Sequence, residues 1–131
     1  MPPAPRLLVI DDEPLLLRSV QRLLDRAGFA VTTTADGADA LRHLEAGAWD
    51  LIVCDVNMPP LPPGHLLAHI ERQLPHLLPR LVVTSGDLEG AVVRACLERT
   101  GCRALPKPYQ WGELVTLLGT MLPTARPAQP A

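Results

Sequence analysis

The chain has 131 residues, 47% of them hydrophobic and 20% charged, with a formal net charge of −2 at pH 7. That length supports one core and not two, the composition is globular, and no apolar run approaches the roughly 20 residues needed to span a bilayer. The slight acidity excludes nonspecific nucleic-acid binding, which needs a basic face to release counterions, and the scarcity of aromatic residues argues against base stacking.

Five short apolar runs alternate with helical patterns along the chain. RLLVI (6–10) ends in Asp11 and Asp12. Leu16, Val20, Leu23 and Ala27 then recur at steps of four, three and four, which predicts a helix with Pro14 near its start and Gly28 past its end. AVTTT (30–34) is a weaker strand candidate. Asp36 is placed to cap a second helix carrying Ala40, Leu41 and Leu44 and stopping at Gly47. DLIVCD (50–55) reads as a strand buried on both faces, and GHLLAHIERQL (64–74) as a third helix before Pro75. RLVVTS (80–85) is a further buried strand, followed by a helix over 88–100 that stops at Gly101. Gly90 falls inside that span at a cost of about 1 kcal/mol relative to Ala, so this helix is expected to be the least stable. CRAL (102–105) is the last strand candidate, and Leu114, Leu117, Leu118 and Met121 stripe a fifth helix.

Strands alternating with helices imply a parallel sheet with right-handed crossovers and helices on both faces. The expectation is an α/β fold, a doubly wound five-stranded parallel sheet. In such folds sites lie outside the carboxyl ends of the strands, where Asp11, Asp12, Asp55 and Ser85 all fall. Two like charges about 4 Å apart at a protein surface repel by about 4 kcal/mol at an effective dielectric of 20, so a cluster of these acids needs an offset. Either Asp11 and Asp12 serve the start of the first helix, as a cap and a favourable charge, or a hard divalent cation such as Mg²⁺ binds them.

Cys54, Cys96 and Cys102 are odd in number and form no CxxC pair, so they read as reduced, mostly buried thiols. His43, His65, His69 and His76 lie away from the strand ends and read as solvated side chains, not metal ligands.

VIDDE, LIVCDVNMP, VVTSGD and LPKPY, in this order, resemble the receiver domain of bacterial two-component response regulators over about residues 6–122. The 30 residues from Asp55 to Ser85 and the 52 from Asp55 to Lys107 match the spacings of that family. The resemblance implies the strand order 2-1-3-4-5, and that Asp55 accepts a phosphoryl group from a phosphohistidine on a histidine kinase or phosphotransfer protein. It implies Mg²⁺ held by Asp12, Asp55 and the backbone carbonyl of Asn57, with Asp11 acting through a metal-bound water. Lys107 then reaches the carboxylate before transfer and the phosphoryl group after it, preceding a cis proline, and Ser85, not its neighbour Thr84, takes the hydroxyl position. Asn57 and Asp87 fall where the family tunes loss of the phosphoryl group.

Three departures stand out. Ala104 occupies the switch position where the family usually carries a bulky, often aromatic residue; a single methyl has no rotamer to switch. The loop MPPLPPGHLL after Asp55 is one residue longer than the usual form and rich in proline, hence stiff. No effector domain is expected after the fifth helix. The expected organisation is a disordered arm over 1–5, a receiver domain over 6–122 and a proline-rich disordered tail over 123–131. The expected function is a single-domain response regulator, a cytoplasmic monomer or weak dimer without membrane or nucleic-acid partners, and a signalling protein more than an enzyme, promoting only its own phosphorylation and dephosphorylation. The start MPPAPR, lacking the regions of a secretion signal, underlies the cytoplasmic expectation. The alternative within the fold is a binding module that works without phosphorylation. A haloacid-dehalogenase-like phosphatase would want a second Asp where Asn57 stands, and a flavodoxin-like flavin binder would want a phosphate-cradling loop where the acidic DDEP stands.

Overall fold

Each apolar run becomes a strand because its residues can be covered from two sides at once. The computed structural model describes residues 3–122; residues 1 and 2 of the expected arm and the whole of the expected tail, 123–131, lie outside the described residues. The elements run β1 (Arg6–Ile10), α1 (Pro14–Arg26), β2 (Ala30–Thr34), α2 (Gly37–Ala46), β3 (Leu51–Asp55), α3 (His65–Gln73), β4 (Leu81–Ser85), α4 (Ala91–Thr100), β5 (Arg103–Pro106) and α5 (Trp111–Met121). The strands form one all-parallel sheet in the order β2-β1-β3-β4-β5. Every residue of β3 and β4 is buried, whereas β2, at an edge, is mostly half-exposed. Continuous apolar runs mark the former and a Thr-rich run the latter.

Alternation along the strands divides the core into two layers. Leu7, Val9, Val53 and Val82 pack against Leu17, Val20 and Leu24 of α1 and Leu114 and Leu118 of α5. Leu8, Ile10, Ile52, Cys54 and Val83 face Ala40 and Leu44 of α2, Leu66 and Ile70 of α3, and Val93 and Cys96 of α4. All three cysteines are free, with Cys54 and Cys96 buried and Cys102 partly so.

The structure moves two of the sequence expectations. The buried face of α1 is Leu17, Val20 and Leu24, not Leu16, Val20, Leu23 and Ala27, so the helix is turned by about one residue. Leucines at 15–17 and 23–24 satisfy either periodicity, and docking against the sheet and α5 selects one. α4 begins at Ala91 with Gly90 as its N-cap, outside the helix, so the interior-glycine penalty does not apply. Residues 86–90 form a turn in which the Asp87 carbonyl accepts the Gly90 N–H at 3.3 Å. A 3₁₀ turn over Pro75–Arg80, which periodicity does not reveal, joins α3 to β4. Asp36 caps α2 as expected, its carboxylate accepting the Asp39 N–H at 3.0 Å. Pro5, inside the expected arm, accepts the Ala30 N–H at 2.8 Å.

The loop after Asp55 is clamped from both ends. Gly64, at φ 78°, holds the left-handed conformation that favours glycine and donates its N–H to the Val56 carbonyl at 2.9 Å. Gly37 donates to the Pro59 carbonyl at 3.1 Å, and a Cβ there would meet the Met58 carbonyl oxygen at 2.7 Å and Leu61 at 2.8 Å. Gly37→Ala should therefore destabilise the chain by about 1–3 kcal/mol, read as a lower urea midpoint with unaltered m-value.

Candidate functional site

The carboxyl ends of β1, β3, β4 and β5 meet at one cleft because backbone hydrogen bonds continue past the strands. The Asp11 N–H donates to the Thr34 carbonyl at 3.1 Å, Val56 to Thr84 at 3.1 Å and Lys107 to Ser85 at 2.8 Å. These bonds bring side chains separated by up to 96 positions, Asp11 to Lys107, into direct contact. Asp11 is only 2% exposed and Asp55 6%, while Asp12 is exposed.

The Lys107 ammonium joins the two buried acids. Its Nζ lies 2.6 Å from Asp11 Oδ2 and 2.8 Å from Asp55 Oδ2, with Glu13 Oε1 at 3.7 Å. The second oxygen of each acid is held by backbone: Asp11 Oδ1 accepts the Glu13 N–H at 3.0 Å, and Asp55 Oδ1 accepts the Asn57 N–H at 3.2 Å. Asp11 therefore orders the turn into α1 without serving as the helix cap, a position that Glu13 takes with no side-chain hydrogen bond. Burial raises the pKa of Asp11 above its ordinary value, against the lowering pull of the lysine. Burial also pushes the Lys107 ammonium down, but its hydrogen bonds to Asp11 and Asp55 outweigh that, so its pKa lies above the usual lysine value and it stays charged.

A cleft of about 490 Å³ opens over these groups, with Asp12, Glu13, Asp55, Asn57 and Lys107 on its polar side and Leu16, Pro108 and Tyr109 on its apolar side. Desolvation and then the charge of Asp11 push the Tyr109 phenol up to about 12, so it enters the cleft as a neutral hydroxyl. The Lys107-Pro108 peptide bond is cis, and so is Pro59-Pro60 in the loop, which the sequence does not signal. One carboxylate oxygen from each of Asp11, Asp12 and Asp55 lies within 4.8 Å of the others. Oxygens on one Mg²⁺, each about 2.1 Å from it, stand at most roughly 4.2 Å apart, so the donor set fits the ion with small side-chain turns or an intervening water.

The response regulator receiver domain family matches this chain over residues 7–119. The chain belongs to that family. The receiver is 34% identical over 131 residues to the DNA-binding transcriptional regulator NtrC of Bradyrhizobium, a stretch that covers 98% of this chain and 27% of that protein. It thus spans about a quarter of the length of this curated relative. A signal receiver domain from Pseudomonas fluorescens superposes with a TM-score of 0.77 at 26% identity, covering 90% of this chain and 94% of that one. The receiver domain of a sensor histidine kinase from Pseudomonas aeruginosa, solved with a magnesium ion in its active-site cleft, gives a TM-score of 0.76 over 90% of this chain and 97% of that one. At 24% identity that likeness carries the fold.

Not every residue singled out in the sequence shares the cleft. Ser85 lies behind it, 5% exposed, with Oγ accepting the Asp87 N–H at 3.0 Å. Ser85, Asp87 and Asn57 line a neighbouring groove of about 240 Å³ that runs between the loop after β3 and the start of α4. Ala104 sits half-buried in β5 opposite Val83, packed against the core layer that contains Cys96 of α4. Sequence reasoning missed the Lys107–Asp11 pair, Glu13, Tyr109 and the buried Thr84; the third acid of DDE was the available signal for Glu13. Two histidines are less bland than expected: His69 meets Glu45 at 2.7 Å, bridging α3 to α2, and His43 meets Asp39 at 3.3 Å. Among the described residues no helix is long and apolar enough to cross a membrane.

Lys107→Met leaves two buried carboxylates without their ammonium. It should cost about 3 kcal/mol at pH 7, in the range for breaking a buried pair. Burial already raises the pKa of Asp11 in the parent, and losing the lysine removes the pull that opposes that rise, so the folded variant binds the extra proton there. Its deficit relative to the parent should therefore grow as pH rises through the carboxylate range and shrink toward pH 4, measured by urea unfolding at stepped pH.

Proposed function

We propose that this receiver takes a phosphoryl group on Asp55 from a phosphohistidine of a histidine kinase or phosphotransfer protein, in a reaction that requires Mg²⁺. The observation that carries the reading is the placement of one ammonium and two further carboxylates, Asp11 and Asp12, around a single strand-end acid, Asp55, in an open cleft. Asp12, Asp55 and the Asn57 carbonyl would hold the metal, with Asp11 acting through a bound water. When bound, the ion neutralises phosphoryl oxygens and makes phosphorus a better electrophile.

The chain's own residues do the rest. Asp55 is oriented by the Asn57 N–H and by Lys107, so one carboxylate oxygen bonds to phosphorus while the phosphorus–nitrogen bond breaks and its electron pair stays on the imidazole. Lys107 then follows the charge from the carboxylate to the phosphoryl oxygens, as a flexible point charge with three donors. Ser85, whose hydroxyl here accepts the Asp87 N–H, would turn that hydroxyl to a phosphoryl oxygen and draw residues 86–90 inward. Asn57 and Asp87, which line the adjoining groove, would tune the lifetime of the acyl phosphate. Output then passes by noncovalent protein contact or by onward phosphotransfer.

Incubation with acetyl phosphate and Mg²⁺ should add one phosphate to the chain, and chelation of the metal should prevent it. Asp55→Asn should incorporate none; undiminished labelling of that variant, read by intact mass, would place the phosphoryl group elsewhere. Profiling against the histidine kinases of its own cell then identifies the donor.

Ala104 shapes how the signal leaves the site. With no bulky side chain to swing there, a shift of the β4–α4 turn and α4 carries the change. Hydrogen exchange with and without a phosphoryl mimic should alter the protection of residues 86–100, and identical protection would remove this route.

A further inference from the structure

The row of side chains that carries Asp55 holds a hydroxyl for which the chemistry above has no use. Ile10 stands in register with Cys54, so Asp11 and Asp55 follow as the next pair; Asp55 is in register with Thr84, and Thr84 with Leu105. In-register residues on neighbouring parallel strands point to the same face, and those strands lie about 4.8 Å apart. The last row of the sheet therefore reads acid, acid, hydroxyl, leucine. Thr84 is 0% exposed, and its Oγ1 is the buried side-chain polar atom left without a hydrogen-bond partner among the described residues.

Native structures rarely leave such a group without a reason, and a partner that arrives in another state is one. Leu105, on one side of Thr84, offers no acceptor. On the other side stands Asp55, whose Oδ1 is engaged by the Asn57 N–H at 3.2 Å and whose Oδ2 is engaged by Lys107 at 2.8 Å. The hydroxyl is idle in the arrangement where the lysine sits on the carboxylate. It gains a neighbour of the right kind when the lysine leaves.

We propose that Thr84 donates a hydrogen bond to the Asp55 carboxyl group once that group is phosphorylated and Lys107 has turned to the phosphoryl oxygens. A rotation about the Thr84 χ1 between staggered wells is the only motion required of it. The proposal rests on the reading of Asp55 as phosphoacceptor. In hydrolysis, a water oxygen bonds to phosphorus and the bond from phosphorus to the Asp55 oxygen breaks. Its electron pair returns to the carboxylate, and the water's proton leaves with inorganic phosphate. A donor on the departing carboxylate stabilises the charge that develops there, so Thr84 speeds loss of the signal.

The test compares the full chain with T84V and T84S. Val keeps the shape and removes the hydroxyl; Ser keeps the hydroxyl and removes the methyl. Each protein is loaded with acetyl phosphate and Mg²⁺, freed of donor, and followed for phosphate retained over time. T84S should lose phosphate at the parent rate, and T84V should hold it about tenfold longer, the effect of one charge-assisted hydrogen bond. An equal or shorter lifetime in T84V, or a T84S lifetime displaced as far as that of T84V, would show that packing and not the hydroxyl matters, and would overturn the inference. Failure of the parent chain to take up phosphate would overturn the reading of Asp55 and this inference with it, whereas uptake with equal lifetimes removes this inference alone.

Discussion

A single ammonium held between two buried carboxylates is the interaction on which the rest of this structure depends. Asp11 and Asp55 directly follow the in-register pair Ile10 and Cys54, at 2% and 6% exposure, a placement that neither charge tolerates alone. Lys107 meets both, and its pKa lies above the usual lysine value because it does. The pair is also held by backbone, since the Glu13 and Asn57 N–H groups occupy the remaining oxygens. The start of α1, the loop after β3 and the segment after β5 are thereby tied to one point.

This arrangement is poised for exchange of charge. One lysine does not neutralise Asp11, Asp12, Glu13 and Asp55 together, so the cleft retains an excess of negative charge and an appetite for a cation. A hard divalent ion can take over the acids, which frees the lysine for an anionic group on Asp55. On the proposed reading the same geometry serves two states, and the ammonium is the part that moves. Burial keeps these interactions strong by removing the competition of water.

The surroundings of the site are unevenly held. The loop after Asp55 is rich in proline and pinned by Gly64 to Val56 and by Gly37 to Pro59, which makes it a stiff wall. The turn before α4 is held more lightly, by the Ser85 hydroxyl and a long Gly90–Asp87 bond, and α4 has no side-chain cap. On the proposed reading, with Ala104 in β5 offering only a methyl, the softer wall is the one that reports on the cleft.

Most of the fold was legible in the chain itself, for a definite reason. Runs such as LLVI, LIVC and LVVT are apolar on both alternating faces, which only a doubly covered strand can use, and strand-helix alternation leaves few topologies for such strands. The candidate site was legible because its members sit at strand ends with fixed spacings. The face of α1 was not, since consecutive leucines fit two registers, and neither was the start of α4, since a glycine reads alike as helix interior and as cap. Tertiary structure alone decided that Lys107 meets Asp11 as well as Asp55, that Glu13 and Tyr109 border the cleft, and that the Thr84 hydroxyl, in register with Asp55, has no hydrogen-bond partner among the described residues. Those contacts join residues far apart in the chain, and they follow from strand register, which a linear pattern of hydrophobicity does not encode.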